Sequence, residues 1–318
     1  MNDAVRVNTV MMVAKSMTPI GIVPVIPTPF GQDQQVDCEA LEPLIDFAIR
    51  SGVQAICLPA YGSEFYKLST DERFKLVKTA VSLAGGRVQV IAQSNHPSPL
   101  QAAELACRNE GLGAEIISFA LPRQFPYGED CLLRYAETVA KAVHVPVLVQ
   151  DFNPGGPSVG TSFARRLKES APNFRYLKLE EPLMGRKIRA VCEATCGSVG
   201  VLEGWGGMYM IELANDGVAG AMPGLAMCDL FVRVFEKMQA GDLLGAARIH
   251  RSLLPQINLA LQNMEFFHHC EKRLLAARGL LHSVVVREPA IDLDPQLAAH
   301  IDLVNSLVLE EAGRNGFT

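Results

Sequence analysis

The stretch Phe174-Arg175-Tyr176-Leu177-Lys178-Leu179-Glu180 decides how the rest of this 318-residue chain is read. Its aromatic and aliphatic residues predict a strand. Alternate side chains of a strand point to opposite faces, so Lys178 and Glu180 share one face. Two readings are open from this run alone. One is a salt bridge at the edge of a core. The other is a chemical pair, because a buried lysine can lose its proton near neutral pH and attack a carbonyl carbon.

The run is the sixth of eight similar ones. Candidate strands cover 20–26, 54–58, 88–93, 115–120, 146–150, 176–180, 199–203 and 218–222. The stretches between them carry helix-period apolar residues, such as Leu41, Leu44, Ile45 and Ala48, then Phe74, Val77, Ala80 and Val81. Ser69-Thr70-Asp71-Glu72 opens the second helix as a capping box. Eight strand and helix units predict a (β/α)8 TIM barrel with a C-terminal helical extension. An open dinucleotide-binding sheet is disfavoured, because no G-x-G-x-x-G follows the first strand. The division expected is an N-terminal extension over 1–19, the barrel over 20–240 and a helical extension over 241–318. From residue 229 to 311 the pattern reads as helices only, with a stripe at Leu243, Ala246, Ile249, Leu253 and Leu254.

Composition removes several classes of function. Hydrophobic residues make up 49% and charged residues 20%, which suits a large core and not a disordered chain. A formal net charge of −5 offers no footprint for nucleic acid or an anionic membrane surface. No apolar run approaches the roughly 20 residues that span a bilayer. The expected location is the cytoplasm, and the eight cysteines read as reduced packing residues, with no Cys-x-x-Cys pair among them. No His, Asp or Glu spacing resembles a metal site, so the expected chemistry uses no metal.

Barrel enzymes take site residues from the C-terminal ends of several strands. Those ends carry Thr28-Pro29-Phe30, the Tyr61-Gly62-Ser63-Glu64 loop, Gln93-Ser94-Asn95-His96, Gln150-Asp151-Phe152-Asn153, Lys178 with Glu180, Glu203-Gly204-Trp205-Gly206-Gly207, and Met222 with Gly224. Gly62 and Ser63 can offer N–H groups and a hydroxyl to a small anion, or form an ordinary turn. His96 can sit at the mouth or serve as a structural hydrogen-bonder. His144 precedes strand five, at the wrong end for chemistry, and His268-His269 read as surface or packing groups. The glycines after strands seven and eight can cradle a phosphate, but no basic residue accompanies them.

Thr28-Pro29-Phe30, Ser63-Glu64-Phe65-Tyr66-Lys67-Leu68-Ser69 and the strand-six Lys178 together resemble the dihydrodipicolinate synthase/N-acetylneuraminate lyase family, over roughly residues 20 to 300. The resemblance implies a barrel enzyme that joins a 2-keto acid such as pyruvate to a lysine as an imine. It makes Lys178 the imine-forming residue and Gly62-Ser63 the seat of the substrate carboxylate. No cofactor is implied beyond the covalent imine, and the implied assembly is a homotetramer built as a dimer of dimers. Thr28, Glu203, Trp205 and Met222 complete the expected substrate contacts.

Three departures from the family pattern direct the chemistry. The Gly-Thr-Thr-Gly-Glu loop is Ala60-Tyr61-Gly62-Ser63-Glu64 here, the usual strand-five tyrosine is Gln150, and the loop 153–157 lacks an arginine. With Val149-Gln150-Asp151, Lys178-Leu179-Glu180 and Glu203-Gly204-Trp205, the chain is similar to the subgroup containing 2-keto-3-deoxy-L-arabonate dehydratase. A tyrosine near an imine suits aldol cleavage, whereas glutamine only orients a hydroxyl. Glu180 can then act as general acid and base if burial raises its pKa. The expected function is dehydration of a 2-keto-3-deoxy sugar acid. An aldolase, a dihydrodipicolinate-synthase-like lyase and a deaminase/dehydratase of a hydroxylated pyrroline carboxylate share the same lysine. A non-catalytic 2-keto acid binder is the alternative of another class.

Overall fold

The computed structural model describes residues 20–153 and 156–317. The expected 1–19 extension and the Pro154-Gly155 pair therefore lie outside the described residues. Eight short strands form one sheet: β1 (Gly21–Ile22), β2 (Ala55–Leu58), β3 (Gln89–Gln93), β4 (Ile116–Ala120), β5 (Val147–Asp151), β6 (Phe174–Leu179), β7 (Gly200–Glu203) and β8 (Gly220–Ala221). They hydrogen-bond in the order β1-β8-β7-β6-β5-β4-β3-β2, the strand order of a (β/α)8 barrel. Contacts group the chain into two units.

The first unit is built mainly from Ile91–Trp205 and Glu212–Ala221. It carries the parallel ladder from β3 to β8 with helices α3 (Pro99–Gly111), α4 (Glu129–Ala140), α5 (Thr161–Ser170) and α6 (Gly185–Ala194) between the strands. Each helix buries one stripe, as Phe163, Ala164 and Leu167 do on α5. The strands are buried on both faces, which is why they read as near-continuous apolar runs.

The second unit comprises Gly21–Val90, Gly206–Ile211 and the residues from Met222 onward. It holds β1, β2, helices α1 (Leu41–Arg50) and α2 (Thr70–Ala84), and the C-terminal helices α7 (Cys228–Gln239), α8 (Leu243–Ala260), α9 (Met264–Ala277) and α10 (Pro295–Arg314). The predicted capping box forms on α2: Glu72 N–H donates to Ser69 Oγ at 3.2 Å, and Ser69 N–H donates back to Glu72 Oε2 at 2.8 Å. Leu259, Phe266, Cys270, Ile301 and Val304 bury the seam among α8, α9 and α10.

Several expectations need correction. The first strand, expected over 20–26, is regular only at Gly21–Ile22, and Val25 then makes single parallel bridges to Cys57 and Gly224. Pro24 and Pro27 have no N–H to continue the ladder. The helix expected between β7 and β8 is a series of turns over 206–217. Gly206 and Gly207 start it with φ of 66° and 84°, a conformation outside the helix. The segment between α9 and α10, expected to be helical, is largely irregular, because Gly279 ends α9 at φ 70° and Asp294 caps a new helix. Leu254 of the predicted stripe is exposed. All eight cysteines are free, but Cys107, Cys131 and Cys196 are exposed, so packing accounts for only some of them.

Candidate active site

Parallel register places a set of side chains from the first unit on one face. Gln93 on β3 is level with Ser118 on β4, Ala120 with Gln150 on β5, Gln150 with Lys178 on β6, and Lys178 with Leu202 on β7. Glu180, one residue past β6, keeps the same parity as Lys178. β3 and β5 are two strand spacings apart, about 10 Å, with β4 between them. The small Ser118 and Ala120 on β4 leave room for the Gln93 and Gln150 side chains to meet over that strand.

They do meet. Gln93 Nε2 donates to Gln150 Oε1 at 2.5 Å, and Gln150 Nε2 donates to Glu180 Oε1, also at 2.5 Å. Lys178 Nζ stands 3.3 Å from the same Glu180 oxygen. All four residues are buried, Lys178 retaining 6% and Glu180 8% of their exposure. Burial pushes the Glu180 carboxyl above its ordinary range, and the Lys178 charge and the Gln150 hydrogen bond oppose that rise without cancelling it. The neighbouring Glu181 shows the opposite outcome. Burial raises it too, but hydrogen bonds from Lys187 and from Ser158 outweigh that and hold it low. Two adjacent carboxylates are thus driven apart by their surroundings.

Gly204, after β7, makes the approach possible. Its N–H donates to Leu179 O at 2.8 Å. A Cβ at this position would lie 2.5 Å from Glu180 Cγ and 2.8 Å from Lys178 Cε. Neither Gly204 nor Gln93 stands among the catalytic or substrate-contacting residues expected from the sequence. Gln93 is a neutral amide with no acid-base signal. Gly204 reads as part of a phosphate cradle, and only the strand register shows it facing the lysine.

Glu203, expected to touch substrate, is level with Leu179 and so lies on the opposite face from Lys178. The period of two along β7 sends it there. Asp151 shares that parity. It takes a bidentate pair from Arg123 at 2.7 and 2.6 Å and a hydrogen bond from Val159 N. A cavity of about 530 Å³ opens beside this pair, lined in part by Gln124, Phe125, Tyr127 and Asn153. Lys178 does not line it. Trp205 follows directly after Gly204 and is partly exposed.

Thr28, Gly62, Ser63 and Met222 belong to the second unit. Thr28 Oγ1 donates to Ser63 O at 2.6 Å, and both residues are buried. The Ser63 hydroxyl donates to Ile26 O at 2.6 Å and accepts from Ala60 N at 3.0 Å, so its hydrogen bonds serve the turn. Gly62 is packed closely, since a Cβ there would come 3.1 Å from both Phe267 and Val25. Met222 is buried after β8. Glu64, next in the loop, is fully buried and receives Lys272 at 2.6 Å, Lys67 at 3.2 Å and the Arg287 N–H at 3.0 Å. That cluster uses both charged residues of the Ser63–Ser69 motif, Glu64 and Lys67, and it holds the loop against the C-terminal segment.

His96 is exposed and accepts from Ser98 N at 3.0 Å in a local turn. His144 is exposed. His268 is buried and 3.0 Å from Tyr66 Oη, and burial holds its pKa well below the usual value. Among the described residues, no group of three or more His, Cys, Asp or Glu side chains is placed to hold a metal ion, and no helix is long and apolar enough to cross a membrane.

The profile of the dihydrodipicolinate synthetase family matches residues 18–303. The chain is 28% identical over 287 residues to L-2-keto-3-deoxyarabonate dehydratase of Azospirillum brasilense, covering 88% of this chain and 92% of that protein. It is 27% identical to 4-hydroxy-tetrahydrodipicolinate synthase of Methanococcus vannielii, covering 75% of this chain and 82% of that one. The solved 4-hydroxy-tetrahydrodipicolinate synthase of Methylacidiphilum fumariolicum SolV superposes with a TM-score of 0.85 at 21% identity, over 92% of this chain and 97% of that one.

Proposed function

Because the chain belongs to the dihydrodipicolinate synthetase family, whose named members include dehydratase and synthase enzymes, we propose that it is a lysine Schiff-base lyase that removes water from a 2-keto-3-deoxy sugar acid. The observation that carries this reading is the buried Lys178 amine 3.3 Å from a carboxyl of raised pKa, with a glutamine where the family places tyrosine. The similarity to the Azospirillum brasilense dehydratase supports a 2-keto-3-deoxy aldonate as substrate.

The steps balance with these residues and solvent water. The Lys178 Nζ lone pair adds to C2 of the ketone, and the carbonyl oxygen leaves as water with one proton from Nζ and one from solvent, giving an iminium. The iminium draws electrons from C3, so the Glu180 carboxylate can take a C3 proton and leave an enamine. The enamine electrons expel the C4 hydroxyl, which departs as water with the proton Glu180 holds. Hydrolysis of the resulting iminium frees the product and returns the amine. Gln150 cannot exchange a proton usefully near neutrality. It donates to Glu180 and holds that carboxyl beside the amine.

Aldol cleavage would need a proton taken from the C4 hydroxyl instead, so product analysis separates the two outcomes. A panel of 2-keto-3-deoxy acids should yield dehydrated keto acids and no released pyruvate. Glu180→Gln should lower the rate of water loss by about 10²- to 10⁴-fold while pyruvate still forms an imine. Pyruvate release from the panel, or normal turnover by Glu180→Gln, would defeat the proposal.

A further inference from the structure

We propose that Gln93 is a positioning residue that fixes the orientation of the Gln150 amide and thereby confines the exchangeable proton of Glu180 to Oε2. This rests on the reading of Lys178 and Glu180 given above. The argument is one of donors and acceptors. Gln93 Nε2 donates to Gln150 Oε1 at 2.5 Å, which commits the carbonyl end of Gln150 toward β3. The NH2 end must then face Glu180, and it donates to Oε1 at 2.5 Å. An amide nitrogen only donates, so Oε1 must accept. The Lys178 amine lies 3.3 Å from the same oxygen. With Oε1 facing two donors, a proton carried by the carboxyl sits on Oε2.

Remove the Gln93 donor and the Gln150 amide can turn over. Its carbonyl would then face Glu180 Oε1, a contact that only a protonated Oε1 can satisfy. That state holds the proton against Gln150, leaves no carboxylate to take the C3 proton, and places the acid on the wrong oxygen. The donor on β3 therefore keeps Glu180 in its base-competent state before proton abstraction. Ser118 and Ala120 serve the same end by leaving the space over β4 through which the Gln93 amide reaches.

The test uses pyruvate as the probe and follows deuterium entry at its methyl group by proton NMR across a range of pH. This half-reaction needs the imine and a base but no water loss. In Gln93→Leu, exchange at neutral pH should slow about tenfold, the loss of one hydrogen bond's worth of bias. Its acid limb should move up by about one pH unit. Gln93→Glu, nearly the same shape, cannot donate when ionised and should move the limb in the same direction. It also serves if the leucine variant does not fold. If the wild type exchanges and Gln93 variants show only a lower Tm with a superimposable pH profile, Gln93 is merely structural and the inference is overturned. If the wild type itself fails to exchange, the Schiff-base reading falls and the inference with it.

Discussion

Replacing Gly204 by alanine adds one methyl group where the fold leaves no room. The added carbon would lie 2.5 Å from Glu180 Cγ, 2.8 Å from Lys178 Cε and 2.8 Å from Leu179 O. Ordinary contact begins near 3.4 Å, so the glutamate must retreat by about 0.9 Å and the lysine by about 0.6 Å. The Leu179 oxygen cannot give way easily, because it accepts the Gly204 N–H at 2.8 Å. Both the Glu180 and the Lys178 side chains would therefore move. Overpacking of this size costs about 1–3 kcal/mol of stability, and displacement of about 1 Å in a catalytic geometry can lower a rate by about 100-fold. Gly204→Ala should show a lowered urea midpoint and a much larger loss of turnover, with circular dichroism of a folded protein. A variant with wild-type turnover and stability would refute the close approach on which the site is built.

Three further outcomes follow from charged groups away from this pair. Burial pushes Glu271 up to about 7 despite its hydrogen bond from Ala226 N. Its folded pKa exceeds the unfolded value, so its contribution is complete below about pH 4.5 and is lost as pH rises through 7. Urea unfolding should report a loss of about 3 kcal/mol between pH 5 and 8, and Glu271→Gln should flatten that slope. Glu72 has the opposite sign: the Arg287 hydrogen bonds hold it down to about 2. Glu72→Gln should thus lose stability that the wild type gains as pH climbs from 2 to 4.5, read from acid unfolding. Lys272→Met removes one of the two lysines paired with fully buried Glu64 and should cost up to about 3–5 kcal/mol, less the part that Lys67 still compensates. Adding Glu64→Gln should restore part of it, and additive losses in the double variant would contradict the pairing.

Much of the fold was legible because period and punctuation are local. The apolar runs mark the strands of the sheet, and the Ser69 to Glu72 signature marks a helix start that forms with both reciprocal bonds. What failed also has local causes acting against a wider pattern. Proline shortens the first strand, and the glycines after Trp205 replace an expected helix with turns. Lys178 and Glu180 could be placed together from alternation alone. Gln93 could not, since its partner lies 57 residues away over an intervening strand. Glu203 misled because a strand end was read without its parity. Register supplies that parity, and a single sequence does not contain it. Ser63 stands between these cases: its position in the loop is readable, whereas the carbonyl that claims its hydroxyl, Ile26 O, is distant in sequence.

Pyruvate followed by borohydride tests the covalent step most directly, because reduction turns a transient imine into a stable adduct that mass spectrometry can map. One reduced pyruvyl group should appear on the peptide containing Lys178, and Lys178→Ala should abolish it. An unchanged protein mass, or an adduct on another lysine such as Lys272, would contradict the account.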